Sequence, residues 1–172
     1  MRQLIKTFWD ICRLKAGPQD LPTGRYLLVA ALFAGIIVDS FSTSVLIPSL
    51  STLEIIQILV TYNIILLTAV YLLLTILGYA QRGIQTLTAM AGSGLFISLV
   101  LLPSLLMLNS AQEEVKSFAF YILADTVWRI AVNAHIFRHA LSVSLLMAMI
   151  VSMSYLIFSL FVGDILLPAQ NQ

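Results

Sequence analysis

Charged residues are scarce in this chain of 172 residues, making up 10% of it, whereas a soluble globular protein has about 25%. Hydrophobic residues make up 60%. The single cysteine, Cys12, excludes an internal disulfide. The formal net charge of +1 does not suggest binding to nucleic acid. This composition excludes an ordinary soluble domain and indicates an all-α membrane protein.

Long apolar stretches occupy most of the chain after Tyr26. A bilayer core is about 30 Å thick, so a spanning helix needs about 20 mostly apolar residues. The stretches predict a five-helix transmembrane bundle within residues 26–167, followed by a short outer tail at 168–172. The predicted spans are 26–46, 53–79, 84–108, 118–140 and 141–167.

The outer end of the first span depends on Asp39. A helix that stops near Asp39 keeps the carboxylate close to water, at a lower desolvation cost. A helix that continues to Ile47, just before Pro48, has a better length for a span. We expect the helix to end between Ser44 and Ile47.

The first 25 residues are too short and too charged to span a membrane, and helix-breaking Gly17-Pro18 and Pro22 mark a linker. Over residues 2–15 the apolar side chains fall mostly on one helical face, which predicts a short amphipathic interfacial helix. Its aromatic side chains would contact acyl chains and its basic ones lipid headgroups. The alternative is a cytoplasmic helix packed on the bundle. The predicted membrane-interface contacts are Lys6, Phe8, Trp9, Arg13 and Lys15.

The distribution of basic residues predicts the orientation, because Lys and Arg accumulate in short cytoplasmic loops. With five spans and a cytoplasmic N-terminus, seven of the nine Lys and Arg residues lie inside and one, Lys116, lies outside. The reverse orientation inverts this ratio. We therefore expect a cytoplasmic N-terminus and an outer C-terminus. The seven are Arg2, Lys6, Arg13, Lys15, Arg25, Arg82 and Arg138.

The fourth span is unusually polar. Asp125 and Arg129 are four residues apart, so they lie on one helical face and can pair. A lone Asp or Arg at mid-membrane costs about 2.5–3.5 kcal/mol on insertion scales, which favours a pair that faces the bundle interior. Asn133 and His139 fall near the same stripe, and His135 lies toward its edge. The candidate intramembrane polar site is Asp39, Asp125, Arg129, Asn133, His135 and His139.

Three interpretations of this site stay open. The first is structural: the pair orders the bundle and meets Asp39 or Asn63. The second is recognition of a partner helix or a lipid headgroup. The third is a path for protons or a solute, although transporters usually show broken helices in two matching halves, which this short chain lacks.

His135 and His139 are also four residues apart, a spacing that can hold a metal or haem. No acidic residue lies between them, so the zinc-protease pattern is absent. We expect both side chains to lie near the cytoplasmic interface, and we predict no metal and no cofactor. Because the polar residues are too few and too scattered to place a nucleophile beside a base, no enzyme is predicted.

The layout as a whole resembles the Yip family of five-span membrane proteins, above all its compact bacterial members. An aromatic amphipathic run and a Pro-containing linker precede five spans, and the fourth span carries Trp128 in ILADTVWRIAVNAHIFRHAL. Eukaryotic members associate with Rab-type GTPases and carry an Asp-Leu-Tyr-Gly-Pro signature. This chain has AGPQDLP at 16–22, without the Tyr, so GTPase binding is not carried over. The resemblance implies a non-catalytic protein of the bacterial cytoplasmic (inner) membrane.

Three functions are therefore predicted, in this order. The first is a non-catalytic, Yip-like membrane organiser or partner-binding scaffold. The second is an accessory subunit of a larger membrane complex. The third is a small transporter or proton conductor that uses Asp125 and Arg129. The expected partners are the lipid bilayer and a membrane protein or a second copy of the chain, and not nucleic acid.

Overall fold

The computed structural model describes residues 2–110 and 115–167, and they form a helical protein. One short α-helix precedes five long ones, with single 3₁₀ turns at Pro18–Asp20 and Ala80–Arg82. The described ranges contain no β-strand, which confirms the all-α fold class. The α-helices are α1 (Arg2–Cys12), α2 (Arg25–Leu46), α3 (Thr52–Ile76), α4 (Gly83–Ser110), α5 (Val115–Leu141) and α6 (Leu145–Leu166).

Four helical stretches are long and apolar enough to cross a membrane, and they coincide with the predicted first, second, third and fifth spans. α5 is not among them, although it has 27 residues, because polar side chains such as Asp125 and Arg129 interrupt its apolar sequence. These four helical stretches are compatible with an integral membrane protein. The prediction of five spans counts one more helix, α5. The four stretches are Arg25–Leu46, Thr52–Ile76, Ala80–Met107 and Leu145–Leu166.

The end of α2 agrees with the expected end of the first span. The helix continues through Asp39 to Leu46, and Pro48 follows shortly after. A proline disfavours helical backbone in the residue before it, and Ile47 accordingly leaves the helix with φ −129° and ψ 76°. Asp39 therefore lies inside a helix and not in a loop after it.

The second span begins close to its predicted position but ends earlier. The Ser51 hydroxyl accepts a hydrogen bond from the Glu54 N–H at 3.3 Å, and the Glu54 carboxylate accepts one from the Ser51 N–H at 2.8 Å. This capping box satisfies donors that a helix start leaves unpaired. The predicted end at residue 79 is too late, because α3 stops at Ile76 and Gly78 adopts a left-handed φ of +83°.

The connection between the last two helices also differs from the prediction. α5 continues to Leu141, and α6 begins only at Leu145. Ser144 caps α6, since its hydroxyl accepts a hydrogen bond from the Met147 N–H at 3.4 Å. The helix that corresponds to the predicted fifth span therefore starts later than residue 141. The predicted outer tail, 168–172, lies outside the described residues.

α4 has the most neighbours among the helices. It packs against α1, α2, α3 and α5, while α6 packs against α5 and α3. α3, α4, α5 and α6 therefore form a closed ring, and α2 lies against α4 and α3. Many large apolar side chains point away from the ring, such as Phe33 and Ile150, which are 68% and 54% exposed. Such an outer surface suits contact with lipid.

α1 packs into the bundle by its apolar face. Phe8, Ile11 and Cys12 are buried, and Phe8 is only 6% exposed. The Phe8 ring stacks on Phe96 of α4 with 6.0 Å between ring centroids. The Trp128 indole N–H of α5 donates a hydrogen bond to the Cys12 carbonyl at 3.0 Å. These contacts favour the alternative of a helix packed on the bundle.

Phe8 is the residue of α1 that departs most from the predicted lipid contact. The other predicted contacts all lie on the outside of the protein: Trp9 is 38% exposed, and the basic residues Lys6, Arg13 and Lys15 are exposed as well. Their positions are compatible with the predicted contact with the membrane interface. The difference has a simple cause. An amphipathic pattern shows that a helix has one apolar face, but lipid and a protein groove satisfy that face equally well.

Gly92 of α4 leaves the space that α1 occupies, because a Cβ atom added there would overlap the Phe8 ring. We expect Gly92→Ala to lower the free energy of unfolding by about 1–3 kcal/mol, the usual cost of overpacking. Adding Phe8→Ala to this variant should recover part of the loss, giving a coupling between the two sites. Thermal unfolding in detergent measures the effect. Gly163→Ala is the control, because nothing lies within 4 Å of its Cβ position; equal effects of the two glycine substitutions would contradict this packing.

Candidate functional site

Three polar residues on different helices lie far from the ends of those helices. Arg129 is roughly 21 Å along α5 from Val115, at a rise of about 1.5 Å per residue. Ser98 has a similar position in α4, and Asp39 lies about two thirds of the way along α2. Polar groups at such positions need partners from the neighbouring helices, since their surroundings are largely apolar.

These residues form one hydrogen-bonded chain across three helices. Arg129 Nε donates to Asp125 Oδ1 at 2.8 Å and to Oδ2 at 3.0 Å. Arg129 Nη2 donates to the Ser98 hydroxyl at 3.0 Å, and that hydroxyl donates to Asp39 Oδ1 at 2.8 Å. The predicted pairing of Asp125 with Arg129 is present in the structure. Asp39 is linked to this pair through the Ser98 hydroxyl and not by a direct hydrogen bond. The linking Ser98 was not among the predicted site residues.

A cavity of about 180 Å³ lies beside this chain of hydrogen bonds, lined by all five long helices. The side chain of Arg129 is 37% accessible and that of Asp125 24% accessible, even though both lie in the middle part of α5. Arg129 and Asp39 line the cavity. The accessibility of Arg129 is therefore at least partly toward the cavity inside the bundle.

Most of the remaining polar lining comes from α3, α5 and α6. Tyr62, Asn63, Asn133, Ser152 and Tyr155 all face the cavity. Asn63 Nδ2 donates to the Leu59 carbonyl at 2.9 Å, and Ser152 donates to the Ile130 carbonyl at 2.9 Å. The tyrosines were not predicted as site residues, because an isolated Tyr in an apolar helix gives no sign of which way it points.

The two histidines lie away from this cavity. His135 Nε2 is 3.0 Å from the carbonyl oxygen of Ala16 in the linker. The His135 and His139 rings meet edge to face with 4.6 Å between centroids. His139 lines a second cavity, between the linker and the end of α5. The structure therefore removes both residues from the predicted stripe with Arg129. Within the described ranges, no cluster of three His, Cys, Asp or Glu side chains could hold a metal.

Arg82 has a role that sequence reasoning missed. Its Nη1 donates to the carbonyls of His139 and Ala140 at 3.2 and 3.0 Å and to the Ser142 hydroxyl at 2.7 Å. It therefore satisfies carbonyls that the end of α5 leaves unpaired. The sequence identified Arg82 only as a cation that indicates orientation.

Cys12 is held among apolar side chains where α1 meets α4. Its sulfur lies 3.7 Å from the Ser93 carbonyl oxygen. Burial raises the pKa of the Cys12 thiol to about 11. The thiol therefore stays protonated at neutral pH, and a protonated thiol is a poor nucleophile. Cys12 serves as a packing residue in this arrangement.

Comparison with known proteins gives no match: no family model, no curated protein and no solved structure is significantly similar to this chain. The chemistry of the site is therefore inferred from its own residues. It offers a guanidinium, a carboxyl, two phenols and two amides around one cavity. These groups can hold a small polar molecule by hydrogen bonds.

The paired charges predict an asymmetric response to mutation. Arg129→Gln leaves Asp125 without its cation, so we expect it to destabilise the protein, by at most the roughly 3–5 kcal/mol found for fully buried pairs. The double variant Asp125→Asn/Arg129→Gln removes both charges and should recover most of this loss. Thermal unfolding in detergent is the measurement, with Arg138→Gln, an exposed cation of α5, as the control. A double variant as unstable as the single one would contradict the pairing.

Proposed function

We propose that the protein crosses the bacterial inner membrane five times, with α5 as the additional span and the N-terminus in the cytoplasm. α5 has 27 residues, which corresponds to about 40 Å of helix. It packs between α4 and α6, and Arg129 and Asp125 are paired with each other. Charged residues within membrane helices are expected to turn inward and pair, and this arrangement meets that condition.

The position of the C-terminus tests the number of spans. Alkaline phosphatase fused after Leu167 should be active, because five spans from a cytoplasmic N-terminus bring that end outside. A fluorescent protein fused after Ser142 should fluoresce in the cytoplasm, with a fusion after Gly78 as the matched control on the same side. Fluorescence from the fusion after Leu167, together with inactive phosphatase there, would mean that α5 does not cross.

We infer further that the protein is non-catalytic and binds a small polar ligand in the central cavity. The observation that carries this proposal is the convergence of Asp39, Asn63, Arg129 and Asn133 on one space of about 180 Å³. Such a space between apolar helices is costly to leave empty, because polar groups in its walls need hydrogen-bond partners. A purely structural role for the ion pair would require Asp125, Arg129 and Ser98. It would not require the side-chain amides of Asn63 and Asn133 in the cavity wall.

Gly35 offers a way to fill this cavity without disturbing the packing. It lines the cavity, and no atom lies within 4 Å of its Cβ position. We expect Gly35→Leu to occupy the ligand's space, so that a small molecule retained by the wild-type protein is lost. Native mass spectrometry of the protein extracted in mild detergent measures this as the disappearance of a defined added mass. Gly163→Leu is the matched control, because its Cβ position is also open and Gly163 does not line the cavity.

The same spectra separate this proposal from the first two functions predicted from the sequence. A Yip-like scaffold or an accessory subunit would retain another protein, seen as an added mass of many kilodaltons, and Gly35→Leu would leave it bound. Both functions stay predictions. A wild-type protein without a small-molecule adduct, or an adduct that Gly35→Leu retains, would contradict binding in the cavity.

A further inference from the structure

We propose that the Asp39 carboxyl is a proton-binding site, which holds a proton at neutral pH and exchanges it with the contents of the central cavity. The inference does not depend on the identity of a cavity ligand. It rests on the charges and hydrogen bonds that surround Asp39 and on the position of this residue in the cavity wall.

The groups around Asp39 do not balance in charge. If all are ionised, Arg129 contributes one positive charge, while Asp125 and Asp39 contribute two negative charges. The other titratable side chains close enough to interact with the Asp39 charge are Tyr62 of α3 and Tyr121 of α5. Phenols are neutral at pH 7. Over the described residues, the site therefore lacks one positive charge.

The hydrogen bonds show which carboxyl is left without a cation. Arg129 Nε makes both of its contacts, at 2.8 and 3.0 Å, to Asp125. Asp39 is linked to the guanidinium only through the Ser98 hydroxyl, which accepts from Nη2 at 3.0 Å and donates to Oδ1 at 2.8 Å. The direct partner of Asp39 is thus a neutral group contributed by α4.

A carboxylate without a paired cation is unfavourable away from bulk water, and taking up a proton removes the charge. Ser98 already donates to Oδ1 of Asp39, which leaves Oδ2 to carry the proton. A metal ion is a poorer counter-charge here. In the part of the chain that the structure describes, no three acidic, His or Cys side chains come together, and the Arg129 guanidinium would repel it.

The cavity gives this proton a route for exchange. Asp39 and Arg129 line the same space, so a proton released from Oδ2 passes to water or to a basic group in the cavity. Release changes the site from neutral to a net charge of −1. The cavity would therefore bind cationic or hydrogen-bond-donating molecules more tightly after release. Proton binding and ligand binding would be linked at one site.

Infrared spectroscopy of the full chain in lipid nanodiscs at neutral pH tests the proposal. We expect the difference spectrum of wild type minus Asp39→Asn to contain the carbonyl stretch of a protonated carboxylic acid, which shifts to lower frequency in D₂O. Ser98→Ala removes the hydrogen bond to Oδ1 and should move this band to higher frequency. Asp164→Asn, an exposed carboxylate near the end of α6, should leave it unchanged.

Absence of a D₂O-sensitive carboxylic acid band from the wild type would overturn the proposal. A band that Ser98→Ala leaves at its original frequency would also do so, because the proton would then lie on another carboxyl. The wild-type spectrum in D₂O and the spectrum of Ser98→Ala test the proton on Asp39 even if Asp39→Asn fails to fold. If native mass spectrometry showed no small-molecule adduct, the infrared test would still be valid, because the spectra require no ligand other than the proton.

Discussion

The guanidinium of Arg129 holds three helices in register. It binds Asp125 within α5 and Ser98 on α4, and through Ser98 it reaches Asp39 on α2. Burying any of these polar groups among apolar side chains without its hydrogen-bond partner would cost free energy. Because hydrogen bonds require distances near 3 Å, the three helices cannot slide past one another without losing this compensation.

Apolar packing sets the remaining geometry around α4. Phe8 of α1 occupies the space above Gly92, and Ala89 and Ser93 of α4 are fully or almost fully buried. Small residues allow helices to approach closely, which matters in lipid, where packing and not water exclusion drives helix association. α1 is consequently part of the folded bundle. The predicted lipid contact of Phe8 does not agree with this arrangement.

Together, the fixed register and the close packing leave one polar space between the helices. The cavity exists where Gly35 and Gly94 provide no side chain to fill it, next to Arg129. A guanidinium paired with a carboxylate inside a membrane bundle is compatible with a purely structural role. Two features distinguish this site from a simple ion pair: the additional amides, and the carboxyl of Asp39, which is hydrogen-bonded to Ser98 and not directly to a cation. They support the proposals of ligand binding and proton exchange.

The sequence by itself determined the helices and the contacts within them. Apolar length predicted the long helices, Pro48 predicted the end of α2, and the four-residue spacing predicted the pair of Asp125 and Arg129, because these features depend on neighbours along the chain. Only the tertiary structure decided that Ser98 links Arg129 to Asp39. Packing also decided that α1 is buried, that a cavity remains and that the histidines lie elsewhere. Helical periodicity shows which residues share a face, but the partner of that face depends on helices that are distant in sequence.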